Sequence, residues 1–310
     1  MRITQRAVVQ TSLNGLNGNL DRIAKLQQQM TSGRQINAPS DSPTGTNTAM
    51  QIRQNSAANT QQAQNISDGV GWLQAADTAI ETIQTQSQKV RSLVVQALNT
   101  GGQSDASRAA IATEVGQLKQ SLLGVANGVI NGRPVFGGAT SGSVAYDASG
   151  TFIGVGGKKT VAGVLTDTTV PQMRRVSDSE TVRVDLTGPE TFGDPADGDD
   201  LFKIVDNIAA HIPASGTDPT DLTNDFKALD AAMNRLRTAA ADIGARAKRL
   251  DDAKAVNADR SLTLQTQLSS VEEIDLPKTI MNLNMQQVGY QTALSATAKA
   301  IQPSLLDYLR

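Results

Sequence analysis

Residues 66–94 read ISDGVGWLQAADTAIETIQTQSQKVRSLV, and their spacing decides the fold. Ile66, Val70, Leu73, Ala76, Ile80, Ile83, Ser87, Val90 and Val94 fall three or four residues apart, which places them on one face of an α-helix. No proline occurs between 44 and 133, so a helix opened by Pro43 is free to run until Asn99-Thr100-Gly101-Gly102 breaks it. A stripe this long needs a second helix to cover it.

Downstream of the break, Ile111, Val115, Leu118, Leu122, Val125 and Val129 repeat the pattern as a return helix expected to end near Asn131-Gly132-Arg133-Pro134. Upstream, Val9, Leu13, Leu16, Leu20, Ile23, Gln27 and Met30 alternate steps of four and three, a heptad with one polar interruption, and Gly33 reads as its C-cap. Asn37–Pro43 is a turn by composition, with Ser42 placed to cap and Pro43 to open the next helix. The far end mirrors this arrangement. From about Pro219, Leu222, Phe226, Leu229, Met233, Leu236, Ala240, Ile243, Ala247 and Leu250 hold the alternation, and Lys254, Asn257, Ser261, Leu264, Leu268 and Val271 carry it through a polar stretch. Some 50 residues of helix extend about 75 Å. Pro277 should kink or restart it, and Ile280, Leu283, Gln287, Tyr290, Leu294, Ala298, Ile301, Leu305 and Leu309 form a last amphipathic helix.

Between 134 and 197 the texture changes to Gly, Thr, Val and Asp, with short runs at 150–155, 160–165 and 181–186, the last alternating with period two before Gly188-Pro189. A polar loop, Asp194–Asp200, then leads to a shorter helix carrying Leu201, Ile204, Val205 and Ile208. The expected fold is mainly α: a long antiparallel helical coiled-coil bundle built from both termini, with a small β-rich inserted domain. Terminal helices occupy 1–42 and 277–310, a helical bundle domain 43–133 and 198–276, and the insertion 134–197. The terminal stripes either pair with each other, as in an ordinary antiparallel bundle, or meet copies in neighbouring chains. The residues expected at an assembly interface are Val9, Leu13, Leu16, Leu20, Ile23, Met30, Leu283, Tyr290, Leu294, Ile301, Leu305 and Leu309.

Composition excludes most chemistry. The 310 residues contain no cysteine and a single histidine, His211, which removes disulfides, thiolate nucleophiles, cysteine-based metal sites and paired-histidine centres. His211 reads as structural or solvated. A net charge of −2 argues against nucleic acid, and the small basic clusters at Lys158-Lys159, Arg174-Arg175 and Arg246, Lys248 and Arg249 read as solvated faces without interleaved aromatics. Gly154-Val155-Gly156-Gly157-Lys158-Lys159-Thr160 resembles a phosphate loop until Lys159 takes the place of the required Ser or Thr; it reads as a hairpin turn. The acidic loop lacks EF-hand spacing and reads as solvated. No Gly-x-Ser-x-Gly elbow exists. No catalytic residue, metal site or cofactor is therefore expected. No run of about 18 apolar residues is present to span a membrane, and Met1–Arg6 lack the apolar core of a cleaved secretory signal.

Taken together, the two ends resemble bacterial flagellin and its relatives. Leu26-Gln27-Gln28-Gln29-Met30-Thr31-Ser32-Gly33-Arg34-Gln35-Ile36 is similar to the family's exit from its opening helix. Ala38-Pro39-Ser40-Asp41-Ser42-Pro43 is closer to the hook-associated protein 3 branch, whose usual form is Pro-Ser-Asp-Asp-Pro, with Ser42 replacing an aspartate. Asn131-Gly132-Arg133-Pro134-Val135-Phe136-Gly137-Gly138 resembles that branch's Asn-Gly-Arg-Tyr-Leu-Phe-x-Gly, with Pro134 replacing the tyrosine. Ile243-Gly244-Ala245-Arg246 and Ser304-Leu305-Leu306-Asp307-Tyr308-Leu309 complete the set. The resemblance covers about 1–140 and 198–310. It implies a structural protein of the flagellum, a junction ring between hook-associated protein 1 and flagellin, self-assembled through terminal helices that line the export channel. It also implies an extracellular location, export unfolded without a cleaved signal peptide, and a flagellar export chaperone that shields the C-terminal stripe. The alternative within the family is a flagellin that forms the filament itself. Outside it stands a helical sensor or enzyme with a ligand at Gly154–Gly157.

Overall fold

The computed structural model describes residues 5–99, 104–156, 158–161, 164–167, 169–194, 198–212 and 219–301. Helix α1 (Gln5–Ser32) stops where Gly33 turns left-handed at φ 70°, a conformation without Cβ strain only for glycine. In the turn that follows, Asp41 Oδ2 accepts from the Asn37 and Ala38 amides at 3.1 and 3.0 Å. Ser42 Oγ then accepts from the Gly45 amide at 3.1 Å, and Pro43 opens α2 (Pro43–Leu98), as the capping pattern indicates. Helix α3 (Asp105–Ala126) is capped by Ser104, whose side chain accepts from the Ser107 amide.

The α3 helix ends earlier than the 131–134 expected from its stripe. The Asn127 amide closes the last turn on Leu123 O at 3.0 Å. Its side chain leaves the helix: Oδ1 accepts from the Ala145 and Tyr146 amides at 2.9 and 2.8 Å, and Nδ2 donates to Tyr146 O at 2.9 Å. Asn131 (φ 50°) and Gly132 (φ 77°) supply the two left-handed residues of a tight hairpin between β1 (Val129–Ile130) and β2 (Arg133–Pro134). Val129, the last member of the helical stripe, is consequently an exposed strand residue.

Two more antiparallel ladders follow, β3 (Lys158–Val161) with β4 (Val164–Asp167) and β5 (Met173–Arg175) with β6 (Thr181–Arg183). The run 150–155 forms no strand; it makes isolated bridges, Tyr146 with Phe152 and Gly138 with Val155. The chain continues through α4 (Gly188–Phe192), α5 (Leu201–His211), α6 (Pro219–Glu272) and α7 (Leu276–Ile301). Pro277 restarts the helix instead of kinking it: it lies in the first turn of α7, where Asp275 Oδ1 accepts from the Lys278 amide at 3.1 Å.

Contacts divide the chain into two compact units, 59–258 and the paired ends 1–58 with 259–310. In the first, the stripe that opened the argument is the core. Ile66, Leu73, Ala76, Ile80, Ile83, Ser87, Val90 and Val94 are buried and Val70 half-buried, against Val115 and Leu122 of α3, Leu201, Val205 and Ile208 of α5, and Leu229, Leu236, Ile243 and Leu250 of α6. Each fully buried Ile, Leu or Val among them stabilises the fold by about 1.5–3 kcal/mol. At Gly69 an added Cβ would stand 3.0 Å from Val184 and 3.1 Å from Leu250, so glycine permits the close approach. The inserted ladders attach through aromatics. Phe136, Tyr146, Phe152, Phe192 and Phe202 form a chain of tilted and edge-to-face contacts with centroids 4.7–5.9 Å apart, the geometry aromatic quadrupoles favour. His211 serves the same unit, with Nδ1 2.6 Å from Asp225 Oδ2.

Candidate assembly interface

The paired ends contain the helices that carry the residues expected at an interface. Helices α1 and α7 pack antiparallel, because the exit of α1 lies beside the approach to α7: the Gln35 amide donates to Glu272 O at 2.6 Å and the Ile274 amide to Gly33 O at 3.2 Å. Further along, Gln286 Nε2 donates to Asn19 Oδ1 at 2.8 Å. Arg53 grips Glu272 with both carboxylate oxygens, at 2.7 and 2.9 Å. Lys25 reaches Asp41 Oδ1 at 2.9 Å, and this contact holds the Asp41 carboxyl below the usual aspartate range.

Burial identifies the seam. On α1 the half-buried positions include Val9, Ser12, Leu16, Asn19, Ile23, Leu26 and Met30; on α7 Thr279, Leu283, Gln286, Tyr290, Ala293 and Thr297 are buried or half-buried. Both series alternate steps of three and four, the coiled-coil repeat. Of the residues expected at an interface, Val9, Leu16, Ile23, Met30, Leu283 and Tyr290 are in this seam. Leu13, Leu20 and Leu294 are outside it, with 46%, 44% and 48% of their surface exposed. The side chain of Ile301, and all of Leu305 and Leu309, lie outside the described residues.

Sequence spacing missed Ser12, Asn19, Leu26, Thr279, Gln286, Ala293 and Thr297 because its phase was set by Leu13, Leu20, Ile280 and Leu294, which carried it one residue past the seam at Gln27, Gln287 and Ala298 as well. A repeat with the same period but shifted by one residue at alternate positions includes them. The shift has a consequence. Leu13 and Leu20 each follow a seam residue, as do Ile280 and Leu294, and a step of one residue turns the side chain about 100° around its helix. In an antiparallel pair equal rotations on both helices point to the same side, so these four residues flank the seam together as one apolar ledge. Opposite the seam, α7 also exposes Met281 and Val288. Beside the seam a groove of about 310 Å³ is lined by Arg22, Lys25, Leu26, Gln29, Asn282, Met285 and Gln286. Helix α7 carries Lys278 and Lys299 and no acidic residue.

Among the described residues no three His, Asp or Glu side chains group to hold a metal, and no helix is long and apolar enough to cross a membrane. Among the described basic residues, Arg174 pairs with Asp68, Arg246 with Asp242 and Arg249 with Glu180. At the suspected phosphate loop, the Val155 amide donates to Gly137 O at 2.9 Å, the chain enters a strand at Lys158, and Gly157 lies outside the described residues. The acidic loop ends in two engaged carboxylates. Asp199 pairs with Arg235, and buried Asp200 caps α5 by accepting from the Phe202 amide at 2.7 Å.

The bacterial flagellin N-terminal helical region matches residues 3–141, and the bacterial flagellin C-terminal helical region matches residues 226–309. The interval between them, 142–225, contains four of the six β strands. Flagellar hook-associated protein 3 of Salmonella typhimurium is 25% identical, across 94% of this chain and 95% of its own length. Flagellin of Bacillus subtilis is 24% identical, with all of both chains covered. Among solved structures, the flagellar junction protein of Legionella pneumophila shares the fold with a TM-score of 0.54 at 15% identity, across 73% of this chain and 99% of that one.

Proposed function

The chain belongs to the bacterial flagellin family, and from that premise we propose that it is the junction member of the flagellum, a structural ring component seated between hook-associated protein 1 and the flagellin filament. One observation carries the choice within the family: the branch-specific turns. Hook-associated protein 3 of Salmonella, 25% identical across 94% of this chain, supports it. Ala38–Pro43 and Asn131–Gly138 both have the form of that branch, and each is a built element here, the α2 cap and the β1–β2 hairpin.

The α1–α7 pair supplies the assembly surface. Its seam is occupied within the chain, so neighbouring subunits meet the flank that carries Leu13, Leu20, Ile280 and Leu294. A contact of this kind orders the terminal helices as subunits add. Export through the flagellar type III route as an unfolded chain with an uncleaved N-terminus fits a weak terminal pair, and a flagellar export chaperone covers the C-terminal stripe beforehand.

The flagellin reading rests on the full-length match to the Bacillus subtilis protein. Purified chain separates the two readings. A junction protein stays short under conditions in which flagellin polymerises, and restores filament attachment when supplied to cells that lack their own junction protein. Long filaments grown from this chain alone would favour the filament subunit.

A further inference from the structure

Helices α2 and α6 run antiparallel, with Arg91 Nε 2.7 Å from Asp230 Oδ1 near one end of their contact. Near the other end two carboxamides replace the apolar core. Asn59 and Asn257 are 4% and 8% exposed. Asn59 Nδ2 donates to Asn257 O at 3.1 Å, while Asn257 Nδ2 donates to Asn59 O at 3.0 Å and to Asn59 Oδ1 at 2.9 Å. Such reciprocal bonding is complete only when the two residues stand level.

The residues one heptad away make that condition strict. Seven positions on either side of Asn59 stand Ile52 and Ile66; seven on either side of Asn257 stand Leu250 and Leu264, and all four are buried. A heptad slip in either direction would set each asparagine among these apolar side chains, its amide unpaired in a dry interior, which is strongly disfavoured. An apolar pair at 59 and 257 would remove that penalty, since a leucine at either position is tolerated beside Ile52, Ile66, Leu250 or Leu264. A polar residue at one core position is a means by which coiled coils fix their stagger.

We propose that Asn59 and Asn257 form a register key, which holds α2 and α6 in a single antiparallel stagger and excludes the neighbouring heptad alignments. The chain has no cysteine, so labels are easily directed. Ala63→Cys and Val256→Cys, both at exposed positions, accept spin labels for pulsed electron resonance. With the asparagines in place one narrow distance is expected. Asn59→Leu with Asn257→Leu should add a second population, at the distance set by an axial shift of about 10 Å, one heptad of rise. Asn59→Ala with Asn257→Ala should do the same, and serves if the leucine pair does not fold. Gln62→Leu removes another buried amide, one that bonds Asp178 at 2.9 Å, and should keep the single distance. A single unchanged distance in a folded double variant would overturn the key, as would a second population produced by Gln62→Leu.

Discussion

Gln286 donates its amide to Asn19 across the α1–α7 seam at 2.8 Å, a polar contact at the centre of what a stripe of leucines would have made apolar. Ser12, Thr279 and Thr297 extend the same character along the seam. The pair is thus held by modest burial and a few hydrogen bonds, each worth only about 0.5–1.5 kcal/mol net. Bulky residues that could have strengthened it stand on the flank, where a second molecule can reach them.

Leu13→Asp and Leu294→Asp should therefore separate assembly from folding. Both side chains are close to half exposed, so each change should alter stability by about 0.5 kcal/mol or less, while incorporation into flagella falls sharply. Thermal melting alongside an incorporation assay checks both halves. Ile23→Asp, at a half-buried seam position, should instead weaken the α1–α7 pair itself.

Gly15 and Gly18 lower the helix propensity of α1 without a packing reason. A Cβ at Gly15 would meet nothing within 4 Å, and at Gly18 only the end of the Arg22 side chain at 3.9 Å. Gly15→Ala and Gly18→Ala should each stabilise the helix by about 1 kcal/mol. Slower amide hydrogen exchange through α1, with no change between 66 and 94, is the expected result.

Leu122 is fully buried between α3 and the α2 stripe. Leu122→Ala leaves a cavity in a core that is rich in aliphatic side chains, and should cost about 2–5 kcal/mol. Urea denaturation measures the loss directly.

Asp200 makes stability depend on pH. Burial pushes its carboxyl up to about 6 from an ordinary 3.8, so the folded chain holds this proton more tightly than the unfolded one. Its contribution is fully present below about pH 4 and lost as pH rises through about 6. Asn caps a helix as well as Asp does. Asp200→Asn should consequently remove this slope between pH 4 and 6, and exceed the parent chain in stability at pH 7 by about 1–3 kcal/mol. Denaturation at pH 4.5 and 7 compares the two.

The long elements were legible in the sequence because their period persists. Ile66–Val94 and Leu222–Leu250 lie on buried faces of α2 and α6, and the caps at Gly33 and Ser42 occur where their residue types demand. Less was legible where one side chain overrides a period. Asn127 ended α3 by bonding Ala145 and Tyr146, a tertiary contact that no local pattern announces, although the Asn131-Gly132 pair did carry a hairpin signal. At the terminal pair the period was readable but its phase was not. Counting bulky residues favours Leu13 and Leu20, whereas the seam holds Ser12 and Asn19, whose burial a count of apolar residues does not register. The aromatic cluster joining Phe136, Tyr146 and Phe202 required distances between segments that sequence spacing does not contain.

The position of the protein in an intact flagellum tests the central claim most directly. Immunogold labelling of flagella from cells that produce this chain should place particles in a single band where the hook meets the filament. Particles distributed along the filament would contradict a junction role and identify the chain as the filament subunit.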